Sequence, residues 1–198
     1  HPKVRRAIIS ALAKIKTEAS YQVIKKCLAQ GETSYYAEAT AASSLGSLGT
    51  GLLKEKELEI IELLTTVLQT KAGWNEVVRC GAIAGLSQLT TSAQAVDAIL
   101  LYTANGTPQP LRLAAIRALG AVSIGQAPEK LTEILEQLKA IAQEEFFLTQ
   151  VSVTSALGQM ETPKAVGILQ NLSNQTPDGR VRRMAEEAVK KVQAKIGI

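Results

Sequence analysis

Apolar side chains recur along the chain with the spacing of amphipathic helices. Within successive segments they occupy positions i, i+3, i+4, i+7, i+8 and i+11, which form one stripe on a helix. No segment shows the sustained alternation of apolar and polar residues that is typical of a half-buried strand. Good helix formers, namely Ala, Leu, Glu, Lys and Gln, dominate the composition. The pattern therefore predicts an all-α protein.

One motif occurs six times, and each copy joins a small residue to a large one. The pairs are Ala11-Leu12, Ser44-Leu45, Gly85-Leu86, Ala118-Leu119, Ala156-Leu157 and Ala188-Val189. Their large residues are 33, 41, 33, 38 and 32 positions apart, a spacing typical of two-helix repeats. The residue five positions before the large one is small in every copy except the last, where it is Met184. We interpret each copy as an inner helix whose small residues let a neighbouring helix approach closely.

A second amphipathic segment lies between successive copies and predicts an outer helix. The total is eleven helices in about five and a half repeats, a right-handed α-α superhelix in which each repeat contacts mainly its neighbours. We expect residues 1–198 to form a single domain. The first inner helix has no outer partner before it, so we also expect the parent protein to continue N-terminally. The last copy is rich in Arg, Lys and Glu, as a capping repeat should be.

Residues that begin or end helices lie where this interpretation needs them. Ser34, Asn75 and Asp178 are predicted N-caps, and Pro128 and Pro163 are predicted to lie in first helical turns. Glycines are predicted to mark helix ends or turns; they are Gly31, Gly106 and the group Gly46, Gly49 and Gly51.

Composition excludes several classes of chemistry. The single histidine is His1, and Cys27 and Cys80 lie far apart, so neither a zinc site nor a nucleophile with a histidine base can be assembled. The sequence also lacks a phosphate-binding glycine motif. We therefore predict no cofactor, no metal and no catalysis in this chain. The longest uncharged stretch, residues 80–96, is too short and too polar to span a bilayer. Two cysteines without a disulfide framework predict a reducing, cytoplasmic location.

Four copies begin with an apolar residue and an arginine: Val4-Arg5, Val78-Arg79, Leu111-Arg112 and Val181-Arg182. With the small and large positions that follow, these copies resemble the repeats of HEAT-like proteins, and residues 111–120 resemble them best. This resemblance covers the whole chain and implies a HEAT-like solenoid. Copies two and five carry Glu38 and Gln150 in the arginine position, which predicts an interrupted arginine ladder.

A narrower resemblance concerns residues 1–12, 34–39 and 178–192, which are similar to the C-terminal HEAT-like extension of bacterial zinc aminopeptidases of the aminopeptidase N type. It implies a non-catalytic domain that binds protein or peptide, including the peptidase body of its own parent chain, whose HExxH helix would lie upstream. The alternatives are a free-standing interaction scaffold, either an adaptor or a lyase-like chaperone, and a HEAT-type nucleic-acid-binding protein. Net charge of only +4 and an aromatic content of 4% make nucleic acid the least favoured partner.

Two groups of arginines have different predicted roles. Arg5, Arg79, Arg112 and Arg182 are predicted to be structural, because they recur with the repeat. Arg6, Arg117 and Arg183 lie on the exposed side of inner helices, where a solenoid presents its concave surface, and are candidate binding residues.

The aromatic residues and cysteines have mainly structural predictions. Trp74 is predicted to plug a loop, although it could instead be an exposed anchor. Phe146 and Phe147 are predicted to fill a gap beside a longer connection, although they could instead anchor a peptide. Cys27 is predicted to be an inert buried thiol. For Cys80, exposure beside Arg79 would lower the pKa without making a reactive site.

Overall fold

The computed structural model describes residues 1–197, with no side-chain description of residues 51 and 52. Within residues 1–197 the chain folds into eleven α-helices and contains no strand. The helices are α1 (Pro2–Ile15), α2 (Glu18–Gln30), α3 (Tyr35–Leu48), α4 (Glu57–Thr70), α5 (Val77–Leu86), α6 (Ala93–Leu100), α7 (Gln109–Val122), α8 (Pro128–Ala142), α9 (Phe147–Leu157), α10 (Pro163–Gln175) and α11 (Gly179–Ile196). Two short 3-10 segments, Gly51–Lys56 and Trp74–Glu76, precede α4 and α5.

The odd-numbered helices are the inner helices, and each packs on the inner helices before and after it. The even-numbered helices form an outer layer, and each packs mainly on the inner helix that follows. One apolar core continues from Ile9 on α1 to Val192 on α11. This arrangement confirms the predicted all-α solenoid of two-helix repeats.

Glycines allow two pairs of inner helices to meet backbone to backbone. A Cβ atom added to Gly81 of α5 would lie 2.5 Å from the carbonyl oxygen of Ala39 on α3, and one added to Gly85 would lie 2.7 Å from that of Ala42. Gly46 faces the backbone of Gly85, and Gly120 of α7 faces that of Ala156 on α9. Gly46 therefore lies inside α3 at a helix crossing. The prediction that it marks an end or a turn is wrong, because close packing and turn formation both select glycine.

The remaining helix-boundary predictions are mostly confirmed. Asp178 caps α11 by accepting hydrogen bonds from the backbone amides of Arg180 and Val181. Pro128 and Pro163 are the first residues of α8 and α10. Gly31, with φ 74°, ends α2, and Gly49 ends α3.

The predicted N-cap role of Asn75 is wrong. Asn75 lies inside a 3-10 segment with φ 48°, and α5 begins two residues later at Val77. The longer connection between copies two and three accommodates this extra turn, and asparagine tolerates its left-handed conformation. Ser34 does precede α3, but within the described chain its side chain makes no capping hydrogen bond.

Within residues 1–197, no helix combines the length and the apolar character that crossing a bilayer requires.

Candidate binding surface of the inner helices

The arginine position of the motif reaches the loop that leads into the next inner helix. Arg5 Nη1 lies 2.6 Å from Glu32 Oε2. Arg112 binds both carboxylate oxygens of Glu144, at 2.8 and 2.5 Å, while its Nε donates to the carbonyl oxygen of Thr103 at 2.8 Å. Both glutamates lie three residues before the first residue of the next inner helix. The pairs therefore join consecutive repeats.

Copies two and five keep this contact with different chemistry. Glu38, which is buried, pairs with Lys71 Nζ at 2.9 Å, so the signs of the two charges are exchanged. In copy five Gln150 Oε1 accepts a hydrogen bond from Thr176 Oγ1 at 3.0 Å. Lys71 lies three residues before Trp74, where helical structure resumes, and Thr176 lies three residues before α11. The series of contacts between an inner helix and the next loop therefore continues through copies two and five, although the arginine itself is absent there.

The other two repeated arginines also bind within the chain. Arg79 pairs with Glu76 at 2.8 Å and lies over the ring of Tyr102, with Cζ 5.5 Å from the ring centroid. Arg182 donates to the carbonyl oxygen of Thr176 at 3.2 Å. These contacts leave all four of the repeated arginines engaged with groups of the solenoid itself.

The three candidate binding arginines are exposed on inner helices that do not adjoin one another: Arg6 on α1, Arg117 on α7 and Arg183 on α11. Arg6 Nε donates to Thr40 Oγ1 at 3.3 Å, and Arg117 Nη1 donates to Ser152 Oγ at 3.1 Å. The structure does not bring these arginines together into one basic site.

Arg6 belongs instead to an aromatic cluster formed with Tyr36 and Trp74. Trp74 is 55% exposed and Tyr36 is 50% exposed. Their ring centroids are 6.1 Å apart with the planes at 76°, and Arg6 Cζ lies 5.8 Å from the Tyr36 centroid. The prediction that Trp74 plugs a loop is wrong, because the 3-10 segment that it opens carries its side chain onto the surface.

Sequence reasoning missed Tyr36 as a member of this cluster. The available signal was positional: Arg6, Tyr36 and Trp74 lie near the starts of three consecutive copies of the motif. Stacking the copies places those starts along one edge, so large side chains near the starts of successive copies become neighbours.

Two grooves open between inner helices where the small-residue pattern is broken. The α5–α7 groove has a volume of about 280 Å³ and is lined by residues that include Cys80, Ser87, Ala114 and Arg117. Ser87 occupies the position that is glycine in α3 and α7. The α9–α11 groove, about 330 Å³, is bounded by Met184, the large residue at the otherwise small position.

Phe146 and Phe147 have different surroundings. Phe147 lies beneath the guanidinium group of Arg180, 4.1 Å from Cζ to the ring centroid. Phe146 is exposed and borders a shallow cavity with Gly106 and Thr149. The prediction that both rings fill a gap is therefore wrong for Phe146, which is 51% exposed.

Both cysteines are half-buried and free. Burial raises the pKa of the Cys27 thiol. Burial also raises the pKa of Cys80, and the carboxylate of Glu76 adds to this effect, whereas Arg117 and Arg79 oppose it. The pKa of Cys80 is therefore raised, because the effect of burial outweighs the opposing effect of Arg79. In the part of the chain that the structure describes, no three His, Cys, Asp or Glu side chains are grouped so as to hold a metal ion.

Comparisons with known proteins agree with this architecture. A sequence model of HEAT repeats matches residues 96–190, and a model of the PBS lyase HEAT-like repeat matches residues 4–30. No curated protein matches the sequence. Among solved structures, an engineered protein from the Northeast Structural Genomics Consortium is similar with a TM-score of 0.54 and 17% identity, over 98% of this chain and 92% of that one.

A second engineered protein from the same consortium is similar with a TM-score of 0.50 and 15% identity, over 97% of this chain and 93% of that one. At these identities the two likenesses concern the fold alone. The chain therefore has an α-solenoid fold, and HEAT-like repeats are matched by sequence in residues 96–190 and 4–30.

Proposed function

We propose that this solenoid is a non-catalytic domain that binds protein or peptide on the exposed side of its inner helices. The observation that carries the proposal is the aromatic cluster of Arg6, Tyr36 and Trp74, which spans three repeats and remains half exposed. Tryptophan, tyrosine and arginine are the residue types that dominate binding energy in protein interfaces.

The cluster is organised before any partner arrives. Trp74 contacts Tyr36 edge to face, and Arg6 is held by both Tyr36 and Thr40. Side chains that already restrain one another lose less conformational entropy on binding. The partner that fits is an extended segment with an apolar or aromatic side chain that packs against Trp74. Such a segment can continue into the α5–α7 groove, since α5 begins three residues after Trp74.

Trp74 is the only tryptophan, so its fluorescence reports binding at the cluster. Peptides selected on the immobilised chain from a random library should change this emission saturably. Tyr36→Ala should weaken their binding at least tenfold, about 1.4 kcal/mol. Tyr35→Ala is the matched control, because Tyr35 is 53% exposed on the same helix and lies outside the cluster. Equal binding by wild type and Tyr36→Ala would refute the proposal.

Calorimetric titration of Trp74→Ala with the selected peptides provides a second measurement of binding that does not depend on fluorescence. The same instrument distinguishes the nucleic-acid alternative, which predicts duplex binding whose affinity falls steeply with salt. Tight, salt-sensitive duplex binding together with no selected peptide would replace the present proposal by that alternative.

The finer proposal is that the chain is the C-terminal region of a cytoplasmic zinc aminopeptidase and closes over or docks against the peptidase body. The resemblance of residues 1–12, 34–39 and 178–192 supports it, and the two free cysteines support the reducing compartment. The coding sequence upstream of His1 tests it, since an HExxH helix followed by a distant glutamate is required there.

A free-standing lyase-like scaffold is the second candidate, which the match of residues 4–30 to the PBS lyase HEAT-like repeat favours. An open reading frame that starts near His1 would support this candidate over the aminopeptidase.

A further inference from the structure

α1 carries an apolar face that the described chain leaves open. Val4, Ile8 and Ile15 are 57, 54 and 59% exposed, and Ala11 between them is exposed as well. If positions are counted from the large residue of the motif, which is Leu12 in this copy, these four residues lie at −8, −4, +3 and −1. They form one stripe along the helix.

The same stripe is closed in the five other inner helices. The residues at −8 are Ala37, Val78, Leu111, Thr149 and Val181; those at −4 are Ala41, Ala82, Ala115, Val153 and Ala185; those at +3 are Leu48, Leu89, Val122, Met160 and Val192. None of these fifteen side chains is more than 4% exposed. The exposure of α1 is therefore a property of its place in the stack and not of the motif.

The preceding repeat is what closes this stripe in the other copies. Gly85, at −1 on α5, meets Ala42 of the preceding inner helix and Leu64 of the preceding outer helix. In α9 and α11 the −1 residue is an alanine that faces Gly120 and Gly158, respectively, each at +1 of the preceding inner helix. Ala11 is the corresponding −1 residue of α1. By analogy, the open face of α1 fits a pair of helices, one inner and one outer, whose inner helix has a small residue at +1.

Charge argues against a second copy of this chain as the occupant. α1 contains Lys3, Arg5, Arg6 and Lys14 and no acidic residue. α11 at the other end contains six basic residues and only two acidic ones. Head-to-head and head-to-tail association would each place two terminal helices of net positive charge beside one another.

We propose that the open face of α1 binds a two-helix repeat of the same type. This proposal is independent of peptide binding at the aromatic cluster. The nearest internal counterpart of α1 is α9, because Val153 at −4 is branched like Ile8, whereas the other four copies carry alanine there. The hairpin of α7 and α8, which covers α9, is therefore the best available model of such a repeat.

The test fuses a copy of residues 109–146 to Pro2 of the chain in place of His1, so that a copy of α7–α8 leads into α1. The midpoint of thermal unfolding should rise by about 5 °C or more, because the newly buried apolar surface stabilises α1. Ile8→Glu should abolish this gain while lowering the midpoint of the unfused chain by about 2 °C or less, since Ile8 is exposed there.

A second control places Leu for Gly120 in the added hairpin only, where the larger side chain prevents the close crossing. This substitution should also remove the gain. A fusion that gives no gain, or a gain that survives both substitutions, overturns the proposal. So does a dimer of the unfused chain, seen by light scattering, that Ile8→Glu dissociates, because a second copy would then be the occupant.

Discussion

Two kinds of crossing between inner helices divide the solenoid. Between α3 and α5, as between α7 and α9, backbone meets backbone through glycines, and no side chain can enter. Between α5 and α7 a groove of about 280 Å³ remains, lined by Cys80, Ser87 and Arg117 among others. The helices and the motif are the same in both cases. The side chains at the crossing decide whether a repeat junction is a closed joint or a surface that can receive a ligand.

The largest expected effect comes from placing a leucine on either side of α5, first where it meets α3 and then where it borders the α5–α7 groove. Gly85→Leu should destabilise the chain by about 4 kcal/mol or more, because its Cβ atom would lie 2.7 Å from the carbonyl oxygen of Ala42. Ala84→Leu, on the adjacent groove-lining position, should change stability by less than about 0.5 kcal/mol. Urea denaturation measures both. Similar losses in the two variants would mean that α5–α7 is as closed as α3–α5.

The next largest effect compares core and surface on α7, which borders both a closed crossing and a groove. Leu119 is fully buried, so Leu119→Ala should cost about 2 to 5 kcal/mol by leaving a cavity. Arg117→Ala should cost less than about 0.5 kcal/mol, since the exposed guanidinium makes one hydrogen bond to Ser152. Equal denaturation midpoints for the two variants would contradict the assigned helix faces.

The contacts between inner helix and loop give a smaller effect at the closed α3–α5 joint. Glu38→Lys should cost about 2 kcal/mol, because it places two positive groups together where Glu38 is buried. Adding Lys71→Glu to this variant should recover most of the loss, since the double variant has the polarity that Arg112 and Glu144 show elsewhere. A double-mutant cycle in chemical denaturation measures the coupling, and a coupling near zero would show that the pair is incidental.

The sequence predicts the helices well because helical periodicity and capping are local properties. Asp178, Pro128 and Pro163 begin helices as expected, since each acts on the backbone of its own first turn. Gly46 shows the limit of such reasoning, because a glycine inside a helix is explained only by the backbone of another helix 39 residues along the chain.

The candidate site was less predictable for the same reason. Arg6 is identifiable from its own helix, as an exposed residue beside the arginine position. The environment of Trp74 depends on a 3-10 segment that its own copy gains through a longer connection, and on Tyr36 from the preceding copy. Likewise, the exchange of Glu38 and Lys71 becomes visible only when each inner helix is aligned with the loop that follows it.

The smallest effect concerns α11, which borders the α9–α11 groove and is capped at its N-terminus by Asp178. Hydrogen bonds from the Arg180 side chain and from backbone amides lower the pKa of Asp178 from 3.8 to about 2. Because the folded pKa lies below the unfolded one, the carboxylate stabilises the folded chain above about pH 4, and this contribution is lost as the pH falls toward 2. Wild type should therefore melt above Asp178→Ala near pH 6, and the difference should narrow between pH 4 and pH 2. A difference that stays constant over this range would show that the ionised carboxylate does not hold α11. The wall that α11 contributes to the α9–α11 groove would then depend only on the packing of α11 against α9 and α10.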